Sequence, residues 1–195
     1  MAQLDFFFDY VSPFSYLADS QMAALSARTG AEIAYRPFSL GRVLKATGNQ
    51  PPPLVPARAR YMAADLPRWV RRYGIPFGFN PAFPLMKTHG ALRAVLAAQE
   101  LGVFAACHAS LFQRAWAEPA DLGDPAVLRG ALEKAGLDAG ALLARAESEA
   151  IHANLESNTA EAIERGAFGA PTFFVGGEMF FGNDRLHFVE EALRA

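Results

Sequence analysis

Apolar and polar positions change period repeatedly along the chain. Leu4 to Val11 is a short aromatic and β-branched run that ends at a Ser-Pro pair, which predicts a buried first strand. Pro13 suits the first position of a helix because it has no N–H to lose there. Ser12 before it can cap the exposed amides, so a helix is predicted to follow to about Thr29. Gly30 closes that helix, and Ala31 to Phe38 alternates through Ile33, Tyr35 and Pro37 as a second strand near a sheet edge. Strand, helix and strand in this order predict a parallel pair joined by a right-handed crossover.

The middle of the chain reads differently. Asn49 to Pro56 holds four prolines and no regular period, as a loop would. Met62, Leu66, Trp69, Val70 and Tyr73 then fall on helical spacing, with Pro67 expected to divide them into two helices and Asp65 to cap the second. Leu92, Val95 and Leu96 mark the next helix and Gly102 its stop. Phe104, Cys107, Leu111, Phe112 and Trp116 form another apolar stripe, Asp124-Pro125 and Asp138 resemble caps, and two final helical runs reach Arg165. Beyond Gly166 the pattern turns β-rich from Pro171 to Val175, reverses at Gly176-Gly177 and returns from Glu178 to Phe181 as a hairpin. Arg185 to Leu193 closes the chain as a helix. The economical architecture is one α/β domain made of both ends, residues 1–49 and 166–195, with an all-helical insertion over 50–165.

Composition narrows the class. With 195 residues, 52 % of them hydrophobic, the chain can bury a sizeable core. A formal charge of -2 and no Lys/Arg block longer than a pair give no electrostatic footprint for nucleic acid or anionic membrane. Met1 to Asp5 lacks a basic region, and Asp5 and Asp9 interrupt the first apolar stretch. Neither a signal peptide nor a membrane span is expected, and the expected location is the cytoplasm. The single cysteine, Cys107, cannot form an internal disulfide, and no Cys/His cluster has metal-ligand spacing.

Candidate chemistry starts at Ser12-Pro13-Phe14-Ser15. Backbone N–H groups and the dipole of the opening helix favour an anion or thiolate there, at a turn where redox proteins of this layout carry Cys-x-x-Cys. Two serines exclude disulfide exchange, but a hydroxyl can donate a hydrogen bond to the thiolate of a bound cofactor. A plain helix cap is the competing reading of Ser12. Gly169-Ala170-Pro171-Thr172 sets a proline at the start of a strand, where a cis peptide would expose the preceding backbone. Cys107, Trp69 and Trp116 lie on apolar stripes and read as core. Arg68, Arg71 and Arg72, like Lys87 and His89, could draw an anionic acid toward a cleft or form a merely solvated face.

The order of these segments resembles the 2-hydroxychromene-2-carboxylate isomerases and the related kappa class glutathione transferases, within the thioredoxin-fold proteins that include bacterial disulfide oxidoreductases. The resemblance spans nearly the whole chain. It is carried by Phe8 to Leu17, Gly48-Asn49, Tyr73-Gly74-Ile75-Pro76, Phe168 to Phe173 and Phe181-Gly182-Asn183-Asp184-Arg185-Leu186. It implies a thioredoxin-like fold with a large helical insertion, and glutathione as cofactor. By resemblance, Ser12 contacts the glutathione sulfur at the Pro13-Phe14 helix start, and Ala170 before Pro171 pairs with the cysteinyl backbone. Asn183, Asp184 and Arg185 hold the γ-glutamyl end, and Asn49 lies close by. Asp184 can pair with an ammonium and Arg185 with a carboxylate, the two charges a γ-glutamyl group presents. Capping of the last helix is the competing reading of Asn183 and Asp184.

The isomerases use a lysine after the second strand, for which Lys45, with Asn49, is the candidate here. The loop Gln50-Pro51-Pro52-Pro53-Leu54-Val55 departs from their pattern toward the transferases. The resemblance therefore implies a glutathione-dependent isomerase of an unsaturated aromatic oxo-acid acting as a homodimer. A kappa-type transferase or peroxidase and a non-catalytic glutathione-binding module are the alternatives.

Overall fold

Phe6, Phe7 and Phe8 stand in a row in β1 (Gln3–Phe8), a composition that only a strand covered on both faces accommodates. The computed structural model, which describes residues 2–195, supplies that cover. β1 is followed by α1 (Pro13–Thr29), β2 (Glu32–Pro37) and α2 (Leu40–Thr47). The helical middle comprises α3 (Pro56–Tyr73), α4 (His89–Glu100), α5 (Phe104–Phe112), α6 (Pro125–Lys134), α7 (Ala139–Ala146) and α8 (Glu149–Glu164). β3 (Thr172–Val175), β4 (Glu178–Phe181) and α9 (Leu186–Arg194) complete the chain. The sheet order is β2-β1-β3-β4, with β1 parallel to β2 and antiparallel to β3. The fold is thus α/β and thioredoxin-like with a large helical content, and β2, which ends at Pro37, lies at the sheet edge where a proline is tolerated.

Alternation along β1 divides the core. Leu4, Phe6 and Phe8 pack with Phe173, Met22, Leu25, Val189 and the helical middle in one continuous cluster, whereas Phe7 joins Phe174, Phe38, Val43 and Ala162 on the opposite face. Phe6 and Phe173 stack across the central pair with ring centroids 5.1 Å apart. Ser12, Asp124 and Asp138 cap α1, α6 and α7 through their side chains, and Gly30 ends α1 in the left-handed region at φ 70°.

Several expectations need correction. Leu40 to Thr47 forms a helix that the sequence pattern does not announce, because Val43 is the one residue it buries fully. Pro67 does not divide the helix over 56–73. Met62 and Leu66 pack beside Leu17 in one helical phase, and Asp65, instead of capping, accepts from Trp69 Nε1 at 3.0 Å. The run expected from Asp138 to Arg165 is two helices, since the Ser148 side chain accepts from the Ile151 N–H and starts α8 afresh.

Candidate functional site

Ser12 closes the turn after β1 in an extended conformation (φ -90°, ψ 114°) and its side chain has two partners. Oγ accepts the Ser15 N–H at 3.1 Å and donates to the Ala170 carbonyl at 3.0 Å. The hydroxyl therefore caps α1 and also ties α1 to the segment before Pro171. Ser15, three residues on, is fully buried and its Oγ has no partner among the described residues.

The Ala170–Pro171 peptide is cis. Around it the backbone is crowded. A Cβ at Gly169 would lie 2.6 Å from the Phe181 ring, and one at Gly182, whose φ is 98°, would lie 2.5 Å from Asp184 Oδ1. Gly182 N–H donates to the Pro171 carbonyl at 3.0 Å, which folds the end of the hairpin back over this segment. Asn183 follows in a short 3-10 turn, 3 % exposed, with its carbonyl accepting from Tyr73 Oη at 3.2 Å. Its side-chain Nδ2 is buried without a partner among the described residues. Asp184 and Arg185 pair with each other at 2.7 Å on the surface, and neither Asn183 nor Asp184 caps α9.

A cleft of about 1000 Å³ opens between these segments and α3. Ser12, Pro13, Phe14, Asn49, Ala170, Pro171, Asn183 and Asp184 all line it, as do Pro51 and Pro52 of the proline-rich loop. Asn49 bridges its mouth, donating from Nδ2 to the Phe168 carbonyl at 3.0 Å while its Oδ1 accepts the Gln50 N–H at 2.9 Å. Met62, Trp69 and Phe83 add an apolar wall, so an aromatic ligand would bury ring area there.

Not every candidate reaches the cleft. Lys45 is exposed in the last turn of α2 and does not line it; Leu44, about 100° away around the helix, takes that place. Arg185, Arg68, Arg71 and Arg72 also stand outside the lining, Arg68 pairing with Asp65. Trp69, read as core, is a half-buried cleft wall. Cys107 and Trp116 are core as expected, and burial pushes the Cys107 thiol up to about 12.

Sequence reasoning missed a polar cluster in the same wall. Asp9 is 2 % exposed and its carboxylate accepts from Val11 N–H at 3.1 Å, Leu40 N–H at 2.9 Å and Thr88 Oγ1 at 2.6 Å. It thereby joins the Ser12 turn to the starts of α2 and α4. Burial holds its carboxyl above the ordinary carboxylate range, with the three hydrogen bonds opposing. Ser39, buried before α2, does not cap that helix; its Oγ lies 3.2 Å from His89 Nε2. Lys87 and His89 both line the cleft. The signal in the sequence was Asp9, an aspartate between Phe8 and Tyr10 in the first strand run.

Comparison with known proteins identifies the family and the fold. The family model for the DSBA-like thioredoxin domain matches residues 3–194. A 2-hydroxychromene-2-carboxylate isomerase from Sphingobium xenophagum is 37 % identical over 193 residues, covering 97 % of each chain. Glutathione S-transferase kappa 1 of Caenorhabditis elegans is 30 % identical, covering 100 % of this chain and 92 % of its own. The solved structure of a 2-hydroxychromene-2-carboxylate isomerase superposes with a TM-score of 0.86 at 34 % identity, covering 98 % of this chain and 94 % of that one. The chain belongs to the enzyme family of the 2-hydroxychromene-2-carboxylate isomerases, on a DSBA-like thioredoxin domain and related to the kappa class glutathione transferases.

Proposed function

We propose that this protein is a glutathione-dependent isomerase of an unsaturated aromatic oxo-acid of the 2-hydroxychromene-2-carboxylate type. The observation that carries the reading is the Ser12 hydroxyl, held between the start of α1 and the Ala170 carbonyl on the wall of a large cleft, in a chain whose one thiol is buried elsewhere. A DSBA-like site without cysteine cannot exchange disulfides, so its sulfur must arrive with a ligand.

The residues fit glutathione. Asn183 Nδ2 is a buried donor lacking an acceptor among the described residues, the kind of group that a bound carboxylate or peptide carbonyl satisfies. Asp184, on the cleft wall, offers a carboxylate to the γ-glutamyl ammonium, and Arg185, outside the lining, would reach the γ-glutamyl carboxylate by giving up its pair with Asp184. Ala170 supplies the backbone beside the cysteinyl unit. When bound, glutathione supplies a nucleophilic thiol that adds reversibly to a conjugated carbon. With glutathione bound, Ser12 Oγ would turn its one proton from the Ala170 carbonyl to the sulfur, and the amides opening α1 would add positive potential, both favouring the thiolate. Phe14, Met62 and Trp69 bury the aromatic ring, which keeps water from the reacting atoms.

Titration with glutathione tests the site: binding is expected, and Asp184→Ala should weaken it at least tenfold. Turnover of a chromene acid should require glutathione and fall in Ser12→Ala. Equal turnover without the thiol, or in Ser12→Ala, would remove the role given to Ser12. The proline-rich wall at Pro51 and Pro52 favours the transferase as second reading. The two readings separate on whether glutathione is recovered unchanged or consumed.

A further inference from the structure

The polar cluster of Asp9, Ser39, Thr88 and His89 on the cleft wall is not used by the thiol chemistry. We infer that His89 is the general acid–base of the second substrate, moving a proton to and from its oxo oxygen, with Ser39 as the residue that positions the imidazole. This rests on the isomerase reading for its substrate, an acid with a carbonyl conjugated to a carbon–carbon double bond.

Three observations support it. His89 is exposed into the cleft, so a ligand there can reach its ring. Nε2 is engaged by Ser39 Oγ at 3.2 Å, whereas Nδ1 has no hydrogen-bond partner among the described residues and is free for a ligand. The Ser39 hydroxyl accepts the Nε2–H that both the imidazolium and the Nε2–H tautomer carry, so the ring keeps its bond while Nδ1 loses and regains the proton. A carboxylate in that place would in addition bias the ring toward the imidazolium, which the neutral hydroxyl does not. Ser39 is itself immobile, 2 % exposed with its N–H on Thr159 Oγ1 at 3.0 Å. It gives up helix capping to make the contact.

The charges around His89 are arranged to leave this role open. Asp9 lies behind it, already satisfied by three donors, and attraction between the two is a minor influence on Asp9. Lys87 precedes it on the cleft wall. On neighbouring elements Arg93 pairs with Glu147, as does His152, and Arg42 pairs with Glu156, so these charges compensate one another. The step balances. As the conjugated chain accepts an electron pair at carbon, the carbonyl π pair moves to oxygen, the imidazolium N–H bond breaks and an O–H bond forms. On return the imidazole recovers that proton, the carbonyl re-forms and the nucleophile leaves with its pair. Nothing is oxidised or reduced.

The test combines kinetics with a measurement that needs no turnover. His89→Gln should keep its melting curve and its glutathione affinity within twofold, yet lose about a hundredfold or more in kcat. Its pH profile should lack one ionisation seen in the wild type. In His89→Ala, added imidazole should restore part of kcat. Ser39→Ala should show a smaller loss, in kcat rather than KM. Long-range proton–nitrogen NMR of the glutathione-free protein should show the His89 ring nitrogens moving on addition of 2-hydroxycinnamate, and those of His152 staying still. Wild-type protein without glutathione-dependent turnover would sink the isomerase reading and this step with it. Normal wild-type turnover with an unaltered pH profile and less than a fivefold loss in His89→Gln would overturn the inference alone. So would His89 nitrogens that ignore a bound probe.

Discussion

The two serines that stand where a redox enzyme of this fold carries its cysteines should respond oppositely to removal. Ser12→Ala deletes the cap of α1, a loss of about 1 kcal/mol, and a buried donor to the Ala170 carbonyl, about 1–2 kcal/mol more. The total is about 2–3 kcal/mol. At about 2.1 cal/mol/K per residue, a chain of 195 residues unfolds with an entropy near 0.4 kcal/mol/K, so the melting temperature should fall by about 5–7 °C. Ser15→Ala deletes a fully buried hydroxyl that bonds to nothing among the described residues and puts a better helix former at the third position of α1. It should leave stability unchanged or raise it by up to about 1 kcal/mol. Urea unfolding of both variants, followed by far-ultraviolet circular dichroism, gives the two numbers under one condition. Glutathione titration should then show weakened binding in Ser12→Ala and wild-type binding in Ser15→Ala. A Ser15→Ala variant as destabilised as Ser12→Ala would refute the assignment of the two hydroxyls.

Other outcomes follow from single features. Because burial raises the Asp9 carboxyl, the native state holds that proton more tightly than the unfolded chain. Its contribution to stability is therefore fully present below the ordinary carboxylate range and is lost as pH rises through the raised native value. Subtracting Asp9→Asn from wild type in urea midpoints from about pH 3 to 8 should isolate that falling limb, and a rising one would contradict it. At neutral pH Asp9→Asn should also be less stable by about 1–3 kcal/mol, since an amide turns a donor toward at least one of Val11, Leu40 or Thr88. Cys107, fully buried with its thiol near 12, should resist alkylation in native protein and react only on unfolding, as intact-mass measurement would reveal. Gly182→Ala puts a Cβ in a left-handed backbone and against Asp184, so a loss of about 1–3 kcal/mol and weaker glutathione binding are expected by thermal melts and titration.

The fold was legible where local chemistry and packing agree. The Ser-Pro start of α1, its Gly30 stop, and the Gly176-Gly177 reversal each satisfy a local backbone need, and the structure follows all three. Legibility failed where long-range contacts overrule the local preference. Pro67 removes one helical N–H, yet α3 continues because Met62 and Leu66 share a surface with Leu17, some forty-five residues earlier in the chain. α2 carries one fully buried residue, too few to write a stripe into the sequence.

The site divides along the same line, and the division explains why the segments around Ser12, Pro171 and Asn183 were read before the cluster around Asp9. Ser12, Pro171 and the Asn183-Asp184-Arg185 turn each sit in a short segment whose backbone requirement is visible locally, so their residue types stand out. The cluster around Asp9 has no such segment. Its three donors come from Val11, Leu40 and Thr88, two, thirty-one and seventy-nine residues away, and Ser39 meets His89 across fifty. Nothing within a window of the sequence requires any of these to be polar. What the sequence did carry was the cost: a carboxylate in a strand run with neighbours that are otherwise apolar must find donors when buried. Asp9 was therefore, beside the Lys87 and His89 already noted as cleft candidates, a position from which the second half of the cleft could have been anticipated. Lys45 illustrates the converse, because a cation near the expected place was outweighed by helical phase, which turned Leu44 toward the cleft and left the charge in solvent.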